Sequence, residues 1–295
     1  MESVISRDGA STFEFRGTGS ELFGKLIVGA LLTGITFGIY ASWFLVDLYK
    51  YLYSKTMIRG TAAGDLQLEY TGTGGELFKR LFVGQILVGL TLGIYLPWFI
   101  VNIAKFMQNN SKAIAPDGSS YQLDLSITGG ELFKAGLING LLTGITFGIY
   151  APWAFCKIQA LFAEKTALLK NGQAYGRFAF TAQGGELFAT FLVGAILTSI
   201  TFGIYAAWFN VKMMQFSVRH TELSVNGRVY SGDFVGTGGD LFVINLVGGI
   251  LTGLTLGIYG FWYLEKLLKF NLGNTIYGTR ALETSVRMPL IPANA

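Results

Sequence analysis

Cysteine and histidine are almost missing from this chain: Cys156 and His220 are the single examples in 295 residues. One cysteine excludes an intramolecular disulfide framework, and the two together exclude the cysteine and histidine sets that hold zinc. Charge is scarce as well. Asp, Glu, Lys and Arg make up 14% of the residues, against about a quarter in an average chain, and mean hydropathy is +0.47. The net charge of +4 is spread out, so no basic stripe points to nucleic acid. Nucleophile elbows, phosphate-binding loops, dinucleotide fingerprints and zinc spacings are absent. An enzyme is therefore not expected, nor a metal or other cofactor. The opening residues, MESVISRDGASTFEF, are polar and carry both signs, unlike a signal peptide.

What is present is one motif written five times. Its fullest form runs Gly-Gly-Glu-Leu-Phe, an apolar stretch rich in small residues, then Leu-Thr-Gly-Ile-Thr-Phe-Gly-Ile-Tyr-x-x-Trp. The opening acid recurs as Glu21, Glu76, Glu131, Glu186 and Asp240, a step of 55, 55, 55 and 54 residues. A fixed period of this size means one supersecondary unit arrayed, not five independent domains. We divide the single array at 1–55, 56–110, 111–165, 166–219 and 220–273, with 274–295 as a final β-segment and tail.

Each repeat carries one long run free of Asp, Glu, Lys and Arg: Leu26–Val46, Leu81–Ala104, Ala135–Cys156, Leu187–Val211 and Leu241–Leu264. Runs of 21 to 25 residues match the roughly 20 needed for a transmembrane helix. All 22 Lys and Arg lie outside them. If each run doubles back, every one of those charges lies on one side, as the positive-inside rule favours. Glycine at Gly38 and its copies, with Pro97 and Pro152 before the tryptophan, suits a turn between two helices. The pattern predicts helix A over Glu21–Thr36, a turn at Phe37–Ala41 and helix B over Ser42–Ser54. Such helices, about 24 and 20 Å long, either cross a thinned bilayer or re-enter on one side; crossing is favoured here.

Between the runs the period changes to two, as in Phe13-Glu-Phe-Arg, Leu66–Tyr70 and Tyr121–Leu125. Asp8-Gly9, Pro116-Asp117-Gly118, Asn171-Gly172 and Asn226-Gly227 supply hairpin turns. Thr275–Arg287 offers a last hairpin, ended by Pro289 and Pro292. The expected fold is thus an α+β membrane repeat protein. It has five units, each a helical hairpin in the bilayer plus a cytoplasmic β-hairpin, arranged as a pseudo-five-fold ring or an open row.

Candidate residues fall into rows. The five acids complement the helix dipole, with a ring at the mouth of a cation path as the alternative. Gly29, Gly34, Gly84, Gly89, Gly144, Gly194, Gly248 and Gly253 would let helices approach closely; Asn139 interrupts this series and is expected to make an interhelical hydrogen bond. Tyr40, Trp43, Tyr95, Trp98, Tyr150, Trp153, Tyr205, Trp208, Tyr259 and Trp262 read as interfacial anchors. Thr36, Thr91, Thr146, Thr201 and Thr255 should bond a carbonyl one turn back. A second acid row, Glu14, Glu69, Asp124 and Asp233, lapses at Ala179 and reads as solvent-facing strand positions.

The motif at Gly129–Trp153 resembles the YjgN-like family, known as domain of unknown function 898, and its copies extend the resemblance over nearly the whole chain. The resemblance implies a bacterial inner-membrane protein of uncharacterised activity and carries no functional residues with it. The expected function is structural or scaffolding, through packed helical hairpins, with a small-ion or small-solute channel as the alternative. Membrane lipids are the expected partners, a homo-oligomer is allowed, and nucleic acid is not expected. Both termini and the β-segments would lie on the cytoplasmic side.

Overall fold

The computed structural model describes residues 10–279. The Asp8-Gly9 turn, and the last expected hairpin beyond residue 279 with its two prolines, lie outside them. The first repeat runs β1 (Ser11–Phe15), α1 (Gly19–Ile35), α2 (Ala41–Ser54) and β2 (Thr56–Thr61). The same order recurs in β3 (Gly64–Tyr70), α3 (Gly74–Leu90), α4 (Leu96–Asn109), β4 (Ser111–Ile114) and in β5 (Ser120–Leu125), α5 (Gly129–Ile145), α6 (Ala151–Glu164), β6 (Thr166–Lys170). It ends with β7 (Gln173–Phe180), α7 (Gly184–Ile200), α8 (Ala206–Arg219), β8 (Thr221–Val225) and β9 (Arg228–Phe234), α9 (Gly238–Leu254), α10 (Gly260–Gly273), β10 (Thr275–Thr279).

All ten strands pair antiparallel with their sequence neighbours, and β10 pairs with β1 to close a barrel. Asn171-Gly172 and Asn226-Gly227 both hold positive φ, as a two-residue type I′ hairpin turn requires. Pairing puts Phe13 opposite Ile58, Leu123 opposite Leu168 and Phe178 opposite Leu223 on one face. Glu69 opposite Lys112 and Ala179 opposite Glu222 occupy the other. The apolar face is half-buried along the strands and fully buried where Phe15, Tyr70, Leu125 and Phe234 meet the helix bases. Tyr70 packs with Val46, Leu77 and Phe106, and Phe234 with Val211, Leu241 and Phe270. Each such core draws on two repeats, so no repeat buries its apolar face alone.

This corrects the expected fold class. The protein is a closed ten-stranded antiparallel β-barrel carrying helices, and no helix among the described residues is long and apolar enough to cross a membrane. Two physical reasons account for the difference. A capped turn stops the first helix of every pair at 17 residues, about 25 Å against a hydrocarbon core of about 30 Å. The hairpins also lean. Trp43, in the first turn of α2 at the hairpin tip, lies against Gly74 in the first turn of α3, so each tip inclines over the next repeat's base and loses reach.

Candidate functional site

Five hairpin tips form the most exposed apolar surface. At each tip the residue before the glycine is Phe37, Leu92, Phe147, Phe202 or Leu256, with φ between 49° and 51° and 94–98% of its surface exposed. A bulky side chain in left-handed backbone is unfavourable, and full exposure of Phe or Leu to water adds a second cost. Both are repeated five times. The backbone is held there by Thr36, whose hydroxyl donates to Leu32 O at 2.7 Å and accepts from Tyr40 N–H at 3.0 Å. Thr91, Thr146, Thr201 and Thr255 make the same two bonds. Gly38 N–H closes the turn on Thr33 O at 2.8 Å, the bond that ends a Schellman motif. Apolar exposure continues down the first helices through Val28, Leu31 and Ile35 and their copies.

The repeated acids sit at the opposite end of these helices. Helix α1 starts at Gly19 rather than at Glu21 because Thr18 is the cap. Thr18 Oγ1 accepts from Glu21 N–H at 3.3 Å, and Glu21 Oε2 accepts from Thr18 N–H at 3.2 Å, a capping box. Glu131 does the same with Thr128; Gln183 stands in the threonine's place for Glu186. Thr73 and Thr237 cap the helices of Glu76 and Asp240. Glu21 also meets Lys55 at 2.7 Å and Tyr51 at 2.8 Å, and Glu131 meets Lys165 at 2.5 Å. The lysine hydrogen bonds are the main cause that holds both carboxyls down to about 2. His220 lies 3.5 Å from Glu186 at the matching position. The carboxylates of Glu21, Glu131, Glu186 and Asp240 therefore tie the start of the first helix to its own repeat, while Glu76 joins its cap through its N–H. Glu21 and Glu131 also reach the end of the second helix. Nothing in this arrangement brings the five acids together as a single cation site. Among the described residues no cluster could hold a metal ion.

The glycine rows separate. A Cβ at Gly29, Gly84, Gly194 or Gly248 would come within 2.0–2.1 Å of the ring of Phe44, Phe99, Phe209 or Tyr263, so these four permit the aromatic contact inside each hairpin. Gly34, Gly89, Gly144 and Gly253 meet nothing within 4 Å and are not packing positions in the monomer. Asn139 bonds Ala135 O within its own helix at 2.8 Å, not a neighbouring helix. The tryptophans are wedges between repeats: Trp43, Trp98, Trp153, Trp208 and Trp262 press on Gly74, Gly129, Gly184, Gly238 and Gly19. Tyr40, Tyr95, Tyr150, Tyr205 and Tyr259 stack on them at 6.0–6.4 Å. In three repeats the tyrosine hydroxyl accepts from Lys157, Lys212 or Lys266. In the second acid row, Glu14 pairs with Arg16 and Arg59, while buried Asp233 binds Arg219 at 2.7 Å. The tip residues were missed as a set from sequence, although Phe or Leu before every Gly-Ile-Tyr was the available signal.

A family model described as "Bacterial protein of unknown function (DUF898)" matches residues 10–83 and 175–235. "Inner membrane protein YjgN" of Salmonella typhimurium (strain LT2) is 35% identical over 95 residues, 32% of this chain and 23% of that protein. Over these segments the chain is similar to the YjgN-like family. Proteins of the same name in Escherichia coli O157:H7 and K12 are 39% identical over 72 and 67 residues, or 17% and 16% of their lengths. The matched part is thus well under two thirds of each curated relative. Within the YjgN-like family match, residues 10–83 hold the first cap, tip and tryptophan wedge, and 175–235 hold those of the fourth repeat. No solved structure matches the chain.

Proposed function

We propose that this chain is a structural protein of the bacterial inner membrane, seated on one leaflet by its five hairpin tips without crossing. The barrel and both termini stand on the cytoplasmic side. The observation that carries this reading is the fivefold recurrence of an exposed Phe or Leu in left-handed backbone. Burying one such side chain is worth roughly 2 kcal/mol, and five together roughly 10 kcal/mol. That is on the scale of one myristoyl chain, which alone binds membranes only marginally, so stable seating also draws on the exposed Val28, Leu31 and Ile35 and their copies. Support for the location comes from relatives named as inner-membrane proteins. Support for the cytoplasmic side comes from the confinement of all 22 Lys and Arg outside the apolar runs. A scaffold is preferred over an ion path because the carboxylates of Glu21, Glu131, Glu186 and Asp240 are engaged in helix caps.

Flotation of the purified full chain with vesicles of phosphatidylethanolamine and phosphatidylglycerol tests the seating. The wild type should float, and a variant with serine at all five tips should stay in the aqueous fraction with its circular dichroism unchanged. Flotation of that variant would remove the tips from the account. Proteoliposome flux of K⁺ or Cl⁻ above protein-free controls would replace the scaffold with a channel.

A further inference from the structure

The third repeat breaks the pattern of the other four at several neighbouring positions. Where they place a glycine against an aromatic ring, it places Asn139 against Ala154. Where they carry Leu26, Leu81, Phe191 or Asn245, it carries Gly136. Removal of a ring and of a large side chain, offset only by one asparagine, leaves an open cleft of about 520 Å³ between α5 and α6, with Asn139 buried at its floor. That volume is within the range of small-molecule sites, roughly 300–1,000 Å³.

The cleft is not a simple packing defect. Asn139 is 6% exposed, its amide nitrogen donates to Ala135 O, and its Oδ1 is buried without a hydrogen-bond partner. An orphaned buried acceptor costs about 1–3 kcal/mol, and glycine, the residue of every other copy, would avoid that cost. Gln159 also lines the space, where the other repeats carry Tyr49, Ala104, Met214 or Leu268. Thr143 completes the polar set; its hydroxyl is already given to Asn139 O at 2.7 Å. Phe155 and Ile158 supply apolar wall, and no charged side chain is present in the lining.

We propose that this cleft is a binding site for one uncharged, largely apolar molecule carrying a hydroxyl or amide N–H donor. The donor satisfies Asn139 Oδ1, the amide of Gln159 adds a second hydrogen bond, and the apolar body fills the space that an aromatic ring takes in the other hairpins. A charged ligand is disfavoured because nothing in the lining would neutralise it. The site is independent of how the tips meet the membrane.

The test uses the full chain in nanodiscs and two probes that share this chemistry. Dioctanoylglycerol arrives through the bilayer and 1-octanol from water; trioctanoylglycerol and octane are the matched compounds without a donor. Saturable binding of either hydroxyl probe, read by native mass spectrometry and thermal shift, is expected, and whichever binds identifies the route of entry. The double variant Asn139→Gly with Ala154→Phe copies the first, second and fourth repeats and should therefore fold. It should weaken binding at least about tenfold, the scale of one lost hydrogen bond to a buried group. Unchanged binding in that variant, equal binding of the donor-free compounds, or no saturable binding of either probe would overturn the assignment.

Discussion

Phe147 holds a backbone conformation that glycine adopts at lower cost, and its ring is 98% exposed. In detergent, Phe147→Gly should relieve left-handed strain and raise unfolding free energy by about 1 kcal/mol, while the same change should weaken vesicle binding. Denaturant titration and flotation would then move in opposite directions; a loss in both would mean that Phe147 serves the fold. At the other end of the helix, Glu131 is held near 2, against an ordinary value of 4.5, first by Lys165 and then by Thr128. A depressed carboxyl stabilises the folded state above about 4.5 and loses that contribution as pH falls towards 2. Glu131→Gln should therefore lower the melting temperature at pH 7 and leave it near the wild-type value at pH 2. An equal gap at both pH values would show that the carboxylate's charge is irrelevant there.

At the scale of the element, the hairpin is two helices of 17 and 14 residues joined by a turn that threonine and glycine hold. In four of the five hairpins its register is set by one glycine beneath one aromatic ring. Gly194→Ala would put a methyl 2.1 Å from Phe209 Cδ2, an overpacking that should cost about 1–3 kcal/mol. Gly89→Ala faces open space and should instead stabilise by about 0.5–1 kcal/mol through helix propensity. Chemical denaturation of the two variants side by side would settle it. Destabilisation by Gly89→Ala would reveal a neighbour at that face, such as a second copy of the chain. The helix and turn positions were legible in sequence because glycine, proline and capping residues act locally. The cleft of the third repeat was not: Asn139 stood out, but the loss of the facing ring at Ala154 acquires meaning only once the two helices are opposed.

At the scale of the whole molecule, closure depends on the pairing of β1 with β10, which places Ser11 opposite Tyr277. It also depends on Trp262 packing on Gly19, where Glu265 accepts from the Gly19 N–H. The other repeats carry Val46, Val101, Cys156 and Val211 at the position of Glu265, so the seam is reinforced by a charge that the internal joints lack. Directly opposed antiparallel residues lie about 4.5–5.5 Å apart at Cα, within disulfide range. Ser11→Cys with Tyr277→Cys, in a Cys156→Ala background, should cross-link on oxidation and migrate faster in denaturing gels. Ser11→Cys with Ser120→Cys should not. Failure of the first pair would leave an open row of repeats.

The amino-acid sequence by itself determined the period, the alternation of β-pairs and helix pairs, and the chemistry of caps and turns, because each depends on residues within a turn or two of one another. Tertiary structure decided that the ends meet, that the hairpins lean rather than stand across a bilayer, and that each tryptophan wedges against the next repeat. These follow from packing between residues one repeat or the whole chain apart. Apolar length alone is therefore silent on them: an uncharged run of 21 to 25 residues reads the same whether it is one straight helix or a bent pair resting on its neighbour.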